Sequence, residues 1–428
     1  MPQLKPFRAL FFNQAKVALS DVVAPPYDVI SPQLQEELYA RSPYNVVRLD
    51  FGREEDRYSS AARLLGEWRN EHVLEQDEVP SVYVLVQDFK STEGKDARRF
   101  GFITLCRLEE LGKGSVLPHE KTLSKPKEDR LRLLQAARAH FNQIFCMYDD
   151  PQRQVERHTE HRLRSTEPDA DVTYDGVRNR LWRISDEGSI EVFREALKAQ
   201  KVYVADGHHR YETALEFRNF MQGENPNHTG DEPYNFVMMY FTNMHDRGLT
   251  ILPTHRLVHD LPSFDAKRLL QQLSLYFRVT KQPSLAELAA VLKRKERFAF
   301  GLIVADEPRY HFLSIVSLSH LASIVPAKVP EAVRRLDVTI LHAAVVEKVL
   351  GIPFELQKQK AHLDYVTDVY EADDAVKQGK AQAAFLMNPT RIAQVRSVAE
   401  AGKTMPQKST YFFPKLLSGL VIHSLESA

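Results

Sequence analysis

VYVADGHHRYETAL, Val202 to Leu215, sets an acid, a glycine, two histidines and an arginine between a short apolar run and a helical pattern. Lys201 to Ala205 has the β-branched and aromatic character of a strand, Gly207 permits a tight turn, and helical spacing runs from Arg210 to Met221. The first turn of a helix presents backbone N–H groups that lack intrahelical partners, together with the positive end of the dipole, so an anion is favoured at this junction. Arg210 adds a forked cation, and His208 and His209 add donors, a set suited to phosphate. Asp206 is the discordant member, because a carboxylate repels such a ligand unless a magnesium ion or a substrate hydroxyl lies between them. A purely structural account stands beside this one: Asp206 caps the helix, the histidines pack, and Arg210 pairs with Glu212. Five polar or turn residues in a row between buried segments weigh against it, since each would need its own buried partner.

Other chemistries are poorly represented. Asp206, His208 and His209 are too close in sequence to converge on one transition metal, and the His245–Asp246 and His259–Asp260 pairs are isolated. There is no HExxH, no Walker A pattern, no GxGxxG after a strand and no GxSxG elbow.

Composition bounds the rest. A chain of 428 residues with 43% hydrophobic content can bury one large core or several smaller ones. Its 57 lysines and arginines balance 57 aspartates and glutamates, so no global field draws it to nucleic acid or to an anionic membrane. Any anion must be held locally. The two cysteines, Cys106 and Cys146, exclude a disulfide framework and a cysteine-rich zinc cluster, and fit a reducing, cytoplasmic setting. The apolar piece of MPQLKPFRALFF is too short for a signal sequence, and no stretch approaches about eighteen uninterrupted apolar residues. The expectation is a soluble protein whose oligomeric state the sequence leaves open.

Periodicity gives a mixed α/β pattern. Leu34 to Ala40 and Tyr58 to Glu71 read as helices, and Ser81 to Asp88 and Arg99 to Arg107 as a hairpin closed by STEGKD. A helix and then a strand occupy Lys127 to Tyr148, and Asp149 to Asp175 reads as polar and surface-exposed. Asn235 to Asn243 is apolar enough for a central strand. After about Pro262, strands are expected at Phe298 to Ala305 and Tyr310 to Val316. The last eighty residues alternate strand and helix, with Thr390 capping the final helix and Gly402 stopping it, which implies a parallel βαβ arrangement.

The string ADGHHRYETAL, with APPYDVI (Ala24 to Ile30), LPHEKT (Leu117 to Thr122), LPTHR (Leu252 to Arg256) and MPQKSTYFFPKLLSGL (Met405 to Leu420), resembles the bacterial domain-of-unknown-function family 1015 over nearly the whole chain. Within it, VADGHHRY is similar to the DGHHR box of ParB/sulfiredoxin-like proteins, notably the free L-serine kinases. The resemblance implies a ParB/sulfiredoxin-like catalytic core over residues 116–262, an N-terminal α+β region over 1–115 and a C-terminal α/β region with βαβ order over 263–428. It also implies phosphoryl transfer from ATP or ADP, with magnesium, to the hydroxyl of free L-serine. Gly207, His208, His209 and Arg210 would then lie at the nucleotide phosphates, Asp206 would position magnesium or the acceptor, and Glu120 in the PHE segment would be the base. The gap between Pro118 and Asp206 is longer here than in the small kinases.

Further candidates for substrate contacts are Asp28 after the rigid PPY bend, His119, Arg256 just beyond an apolar strand, and Lys408, Ser409 and Thr410. Each has a bland reading as a turn, a packed ring or an anchor, and Lys121 and Lys125 beside Glu120 read most simply as solvated. Two other functions compete: a nucleotide-binding regulatory or DNA-associated ParB-like module, and a phosphohydrolase in which water replaces the acceptor. The zero net charge and the lack of a recognisable helix-turn-helix argue against DNA, and no nucleic-acid or membrane partner is expected.

Overall fold

The computed structural model describes residues 1–121, 124–295, 297–306, 308–317, 324–326, 328–358 and 361–426. These form a mixed α/β protein of two compact units. Unit 1 comprises residues 1–118, 122–250 and 414–428, and unit 2 comprises 119–121 and 251–413. Among the described residues no helix is long and apolar enough to cross a membrane.

Unit 1 is built on a sheet of nine strands from the described residues: β1 (Leu4–Lys5), β2 (Val82–Lys90), β3 (Asp96–Arg107), β4 (Val116–Leu117), β5 (Ile144–Tyr148), β6 (Ala170–Tyr174), β7 (Val177–Ile184), β8 (Val202–Asp206) and β9 (Phe236–Asn243). Their order is β4-β8-β5-β9-β3-β2-β7-β6, with β1 on β3. The pairs β4·β8 and β5·β9 are parallel and the others antiparallel. The β2–β3 hairpin, from before residue 115, therefore lies between β9 and β7, both from after it, in one sheet. β2 and β3 form the expected hairpin, in register from Lys90↔Asp96, and β9 is buried at every position, as its apolar run requires. One sheet face contributes Val84, Phe102, Cys146, Val204 and Phe241 to a core shared with Phe193 and Leu197 of the Glu187–Lys198 helix. Gly101 is needed where it stands: a Cβ there would lie 2.2 Å from the Tyr240 ring.

Asp149 to Asp175 is mostly exposed, as its composition implies, but it is not without regular structure. It contains the Gln154–Ser165 helix and the edge strand β6. The helix buries only Val155, Glu156 and Thr159, so almost no apolar stripe marks it, and its start is fixed by Asp150 Oδ2, which accepts from Gln154 N at 2.6 Å. In β6 only Ala170 and Val172 face inward.

Unit 2 has a six-stranded sheet of β10 (His255–Val258), β11 (Phe277–Gln282), β12 (Ala299–Val304), β13 (Tyr310–Ile315), β14 (Leu363–Val366) and β15 (Ala383–Leu386), ordered β11-β13-β12-β15-β10-β14. Every pairing is antiparallel. The strand–helix–strand order of the last eighty residues is present, but β10 lies between β14 and β15 and runs against both, so the βαβ unit is split and its two strands are not neighbours. The Ile392–Glu400 helix begins at Arg391, whose N–H donates to Gln394 Oε1 at 2.9 Å. Thr390 is not its cap, because its hydroxyl donates to Ser409 O at 2.7 Å, while Gly402 ends the helix with φ +62°.

Neutral histidines are expected to make unit 1 acid-sensitive. His140 pairs with His423 across a short antiparallel ladder, their rings 5.7 Å apart, and burial lowers the His140 pKa to about 4. The folded state thus binds this proton more weakly than the unfolded chain does. Stability contributed by neutral His140 is full above about pH 6.5 and falls by roughly 3 kcal/mol as pH drops toward 4. Both tryptophans, Trp68 and Trp182, belong to unit 1, so their fluorescence in urea titrations follows this unit. The midpoint is expected to fall steeply between pH 6.5 and 4.5, and less so in His140→Gln; equal slopes in the two proteins would contradict it.

Candidate functional site

The sequence at β8 produces an unusual strand end. Val204 pairs with Cys146 and Asp206 with Phe145, so one residue of β8 bulges just before the turn and re-aims Asp206. Gly207 follows at φ +93°, a conformation that side chains resist, and the His208–Glu224 helix starts directly after it, with Tyr211 N donating to Gly207 O at 3.0 Å. A Cβ on Gly207 would stand 2.9 Å from Arg210 Nη2, so the glycine also makes room for that guanidinium. The helix is fixed by Tyr211 and Ala214 in the sheet core and by Tyr211 Oη, which donates to Glu109 O at 2.8 Å.

The junction residues are oriented by polar contacts. Asp206 is half-buried; Oδ1 accepts from Gly207 N and Oδ2 from Lys415 Nζ, each at 2.8 Å. Lys415, close to the C-terminus, thus neutralises the acid that looked discordant beside an anion site. Arg210 Nη1 donates to Asn142 Oδ1 at 2.8 Å and Gln143 O at 2.7 Å, and its Nη2 lies 4.0 Å from Asp206 Oδ1. His208 is buried and His209 half-buried.

From Asn142 a buried network runs on. Asn142 Nδ2 donates to Asp50 Oδ2 at 2.7 Å; the same oxygen accepts from Ser418 Oγ at 3.1 Å, and Asp50 Oδ1 from Arg130 Nη1 at 2.9 Å. Arg130 also binds Asp129 at 2.6 Å and lies 4.1 Å from the Tyr27 ring centre. Burial raises the Tyr27 hydroxyl to about 12, keeping it protonated. A cavity of about 50 Å³ adjoins this network, lined by Asp50, Arg130, His140, Asn142, Arg210 and Thr213 among others. The PPYD bend therefore contributes Tyr27 here, while Asp28 is exposed and makes no hydrogen bond or ion pair among the described residues.

In unit 2 the remaining motifs converge. His119 is fully buried, with Nε2 3.0 Å from Thr410 Oγ1. Half-buried Glu120 forms a parallel bridge with Met405, and its Oε1 accepts from Lys408 N at 3.3 Å. Lys408 has φ +53°, and its carbonyl accepts from Arg256 Nη2 at 3.0 Å. The Lys408 backbone is thus held between a carboxylate and a guanidinium. Arg256 is 1% exposed, and burial lowers its pKa to about 10. Its other donors reach Thr254 O and, at 3.3 Å, His342 Nε2. His342 is held neutral, its pKa lowered to about 3 by burial, and its Nδ1 donates to Gln357 Oε1 at 2.7 Å. Ser409 is buried and its hydroxyl donates to Pro406 O. Lys121 is exposed; Thr122 and the side chain of Lys125 lie outside the described residues.

Residues that the motifs did not single out, Lys415, Asn142, Asp50 and Arg130, do much of the orienting. Each left a trace in the sequence as a polar group within an apolar run: FPKLL, HFNQIF, VVRLDF and DRLRLL. Among the described residues no group of three or more His, Cys, Asp or Glu side chains is arranged to hold a metal ion.

A family model described as "Protein of unknown function (DUF1015)" matches residues 4–339, and the chain belongs to this family. No curated protein matches it. Similar solved structures include a conserved hypothetical protein from Pyrococcus furiosus, at 14% identity over 71% of this chain and 89% of that one, with a TM-score of 0.35. A free serine kinase in complex with AMP is 12% identical over 71% and 92%, TM-score 0.35. SbnI with a C-terminal truncation, from Staphylococcus aureus, is 9% identical over 74% and 85%, TM-score 0.35.

Proposed function

We propose that this member of the DUF1015 family is a nucleotide-dependent kinase that phosphorylates the hydroxyl of a small metabolite, free L-serine, to give O-phospho-L-serine. The observation that supports it most is the strand–bulge–Gly207–helix junction, where Asp206 is charge-balanced by Lys415 and Arg210 is braced by Asn142 and Gln143. Such a junction offers backbone donors and a dipole to phosphate oxygens without an uncompensated carboxylate beside them. The DGHHR resemblance points to the same residues.

In this reading Gly207, His208, His209 and Arg210 hold the phosphates of ATP or ADP. The acceptor oxygen bonds to the terminal phosphorus as the bridging P–O bond breaks, and the acceptor proton passes to a carboxylate. Glu120 is proposed as that base on its motif, with His119, Arg256 and the Lys408–Thr410 segment as its setting and Asp28 as a further substrate candidate. Asp206 fits a magnesium ion that arrives on the nucleotide, because Mg²⁺ needs only one or two protein carboxylates when phosphates and water complete its shell. Bound there, the ion would neutralise charge on the transferring group.

Titration with ADP tests the phosphate role. Arg210→Ala is expected to weaken binding roughly tenfold or more, as loss of a charge-assisted contact does; unchanged affinity contradicts it. Asp206→Asn is expected to abolish transfer and flatten the magnesium dependence, and an unaltered magnesium titration would sink the metal role.

A further inference from the structure

Unit 1 carries a second concave surface that shares no residue with the junction: a groove of about 810 Å³ with Phe100 and Trp182 among its lining. Six guanidinium groups line it, those of Arg98, Arg153, Arg157, Arg164, Arg180 and Arg247, in a chain whose net charge is zero. The lining carboxylates Asp96, Glu156, Glu160 and Asp246 offset part of this charge, and Asp96 is itself paired with Lys90. Arg98 and Arg180 share Asp88, Arg164 pairs with Glu160, and Arg153 lies 3.5 Å from Glu156. Arg157 and Arg247 are exposed, and their side chains make no hydrogen bond or ion pair with any described residue. Asp246 is spent on backbone, accepting from Gly248 N at 2.7 Å and Phe100 N at 3.2 Å. Glu156 is 8% exposed; its Oε1 accepts from Asn243 Nδ2 at 3.1 Å, whereas Oε2 is buried without a partner, as is Arg180 Nε. Burial raises the pKa of Glu156 and of Asp246.

Glu156 Oε2 and Arg180 Nε are buried polar atoms that no described residue completes, at a groove lined by six arginines. We propose that this groove is a second ligand site, for a small phosphorylated anion carrying at least two negative charges. Planar guanidinium forks match phosphoryl oxygens in pairs, and Arg157 and Arg247 have their donors uncommitted. The groove has the size of a small-molecule pocket, which favours a metabolite over a peptide or nucleic-acid strand. This inference is independent of the kinase reading.

Trp182 lines the groove, so the full chain bearing Trp68→Phe reports on it through one fluorophore. Inorganic pyrophosphate and citrate are titrated at matched ionic strength. The expected result is a saturable change in Trp182 emission with pyrophosphate, weakened roughly tenfold or more by Arg157→Ala with Arg247→Ala. The paired lysine substitutions should be intermediate, and Arg210→Ala should have no effect. Both arginines are exposed and unpaired, so the alanine variant is expected to fold. No saturable response overturns the proposal, as does citrate binding as tightly as pyrophosphate. A response that survives the double variant and disappears in Arg210→Ala belongs to the Gly207 junction and overturns it too.

Discussion

Glu120→Gln is expected to lower phosphoryl transfer by roughly 10²- to 10⁴-fold, the usual contribution of a positioned base, while ADP affinity stays within about twofold of wild type. The substitution is mild for the fold. Glu120 Oε1 accepts a hydrogen bond from Lys408 N, and the glutamine carbonyl oxygen retains that role, so the Lys408 turn and its contact with Arg256 are preserved. What glutamine cannot do is take a proton. Glu120→Ala is the useful contrast, because it removes the acceptor as well and releases a backbone held at φ +53°. Product formation by mass spectrometry and ADP binding by calorimetry read the two effects separately. Wild-type turnover in the glutamine variant would require another base.

The largest loss of stability is expected from Asp50→Ala. Asp50 is 4% exposed and serves Arg130, Asn142 and Ser418 at once. Its removal leaves the buried Arg130 guanidinium with Asp129 as its remaining anionic partner and takes an acceptor from Ser418 Oγ and from Asn142 Nδ2, the latter keeping Ser418 Oγ at 3.2 Å, at a cost of about 3–5 kcal/mol. Because Asn142 also accepts from Arg210, the damage should extend to the Gly207 junction and, in the proposed function, weaken ADP binding. Asp50→Asn keeps one acceptor and should cost less than half as much. Urea unfolding followed by tryptophan emission reads unit 1 alone; a loss under 1 kcal/mol in the alanine variant would contradict the network.

The strand, the glycine turn and the helix of the junction were legible because each rests on local chemistry: β-branched residues, a residue tolerant of positive φ, and a 3.6-residue period. The convergence of Glu120, Arg256 and Lys408 was anticipated only as separate motifs, since nothing local specifies that segments nearly three hundred residues apart share a hydrogen bond. Two features depend on pairing partners and were therefore hidden. The insertion of β10 between β14 and β15 splits a βαβ order that alternation alone cannot distinguish from a parallel one. Lys415 reaches Asp206 across 209 positions, so the cation that offsets this carboxylate was not visible from the local sequence. The Gln154–Ser165 helix was missed for a different reason: it buries a glutamate and a threonine beside one valine, and an apolar stripe is the signal by which helices are recognised.

The central claim is phosphoryl transfer. Incubation of the full chain with magnesium and either ATP or ADP, against a panel of hydroxyl compounds that includes L-serine, tests it most directly by mass spectrometry of the products. The account predicts O-phospho-L-serine, formed in step with nucleotide consumption and absent with Glu120→Gln. Intact nucleotide with every acceptor, or release of inorganic phosphate alone, would contradict it.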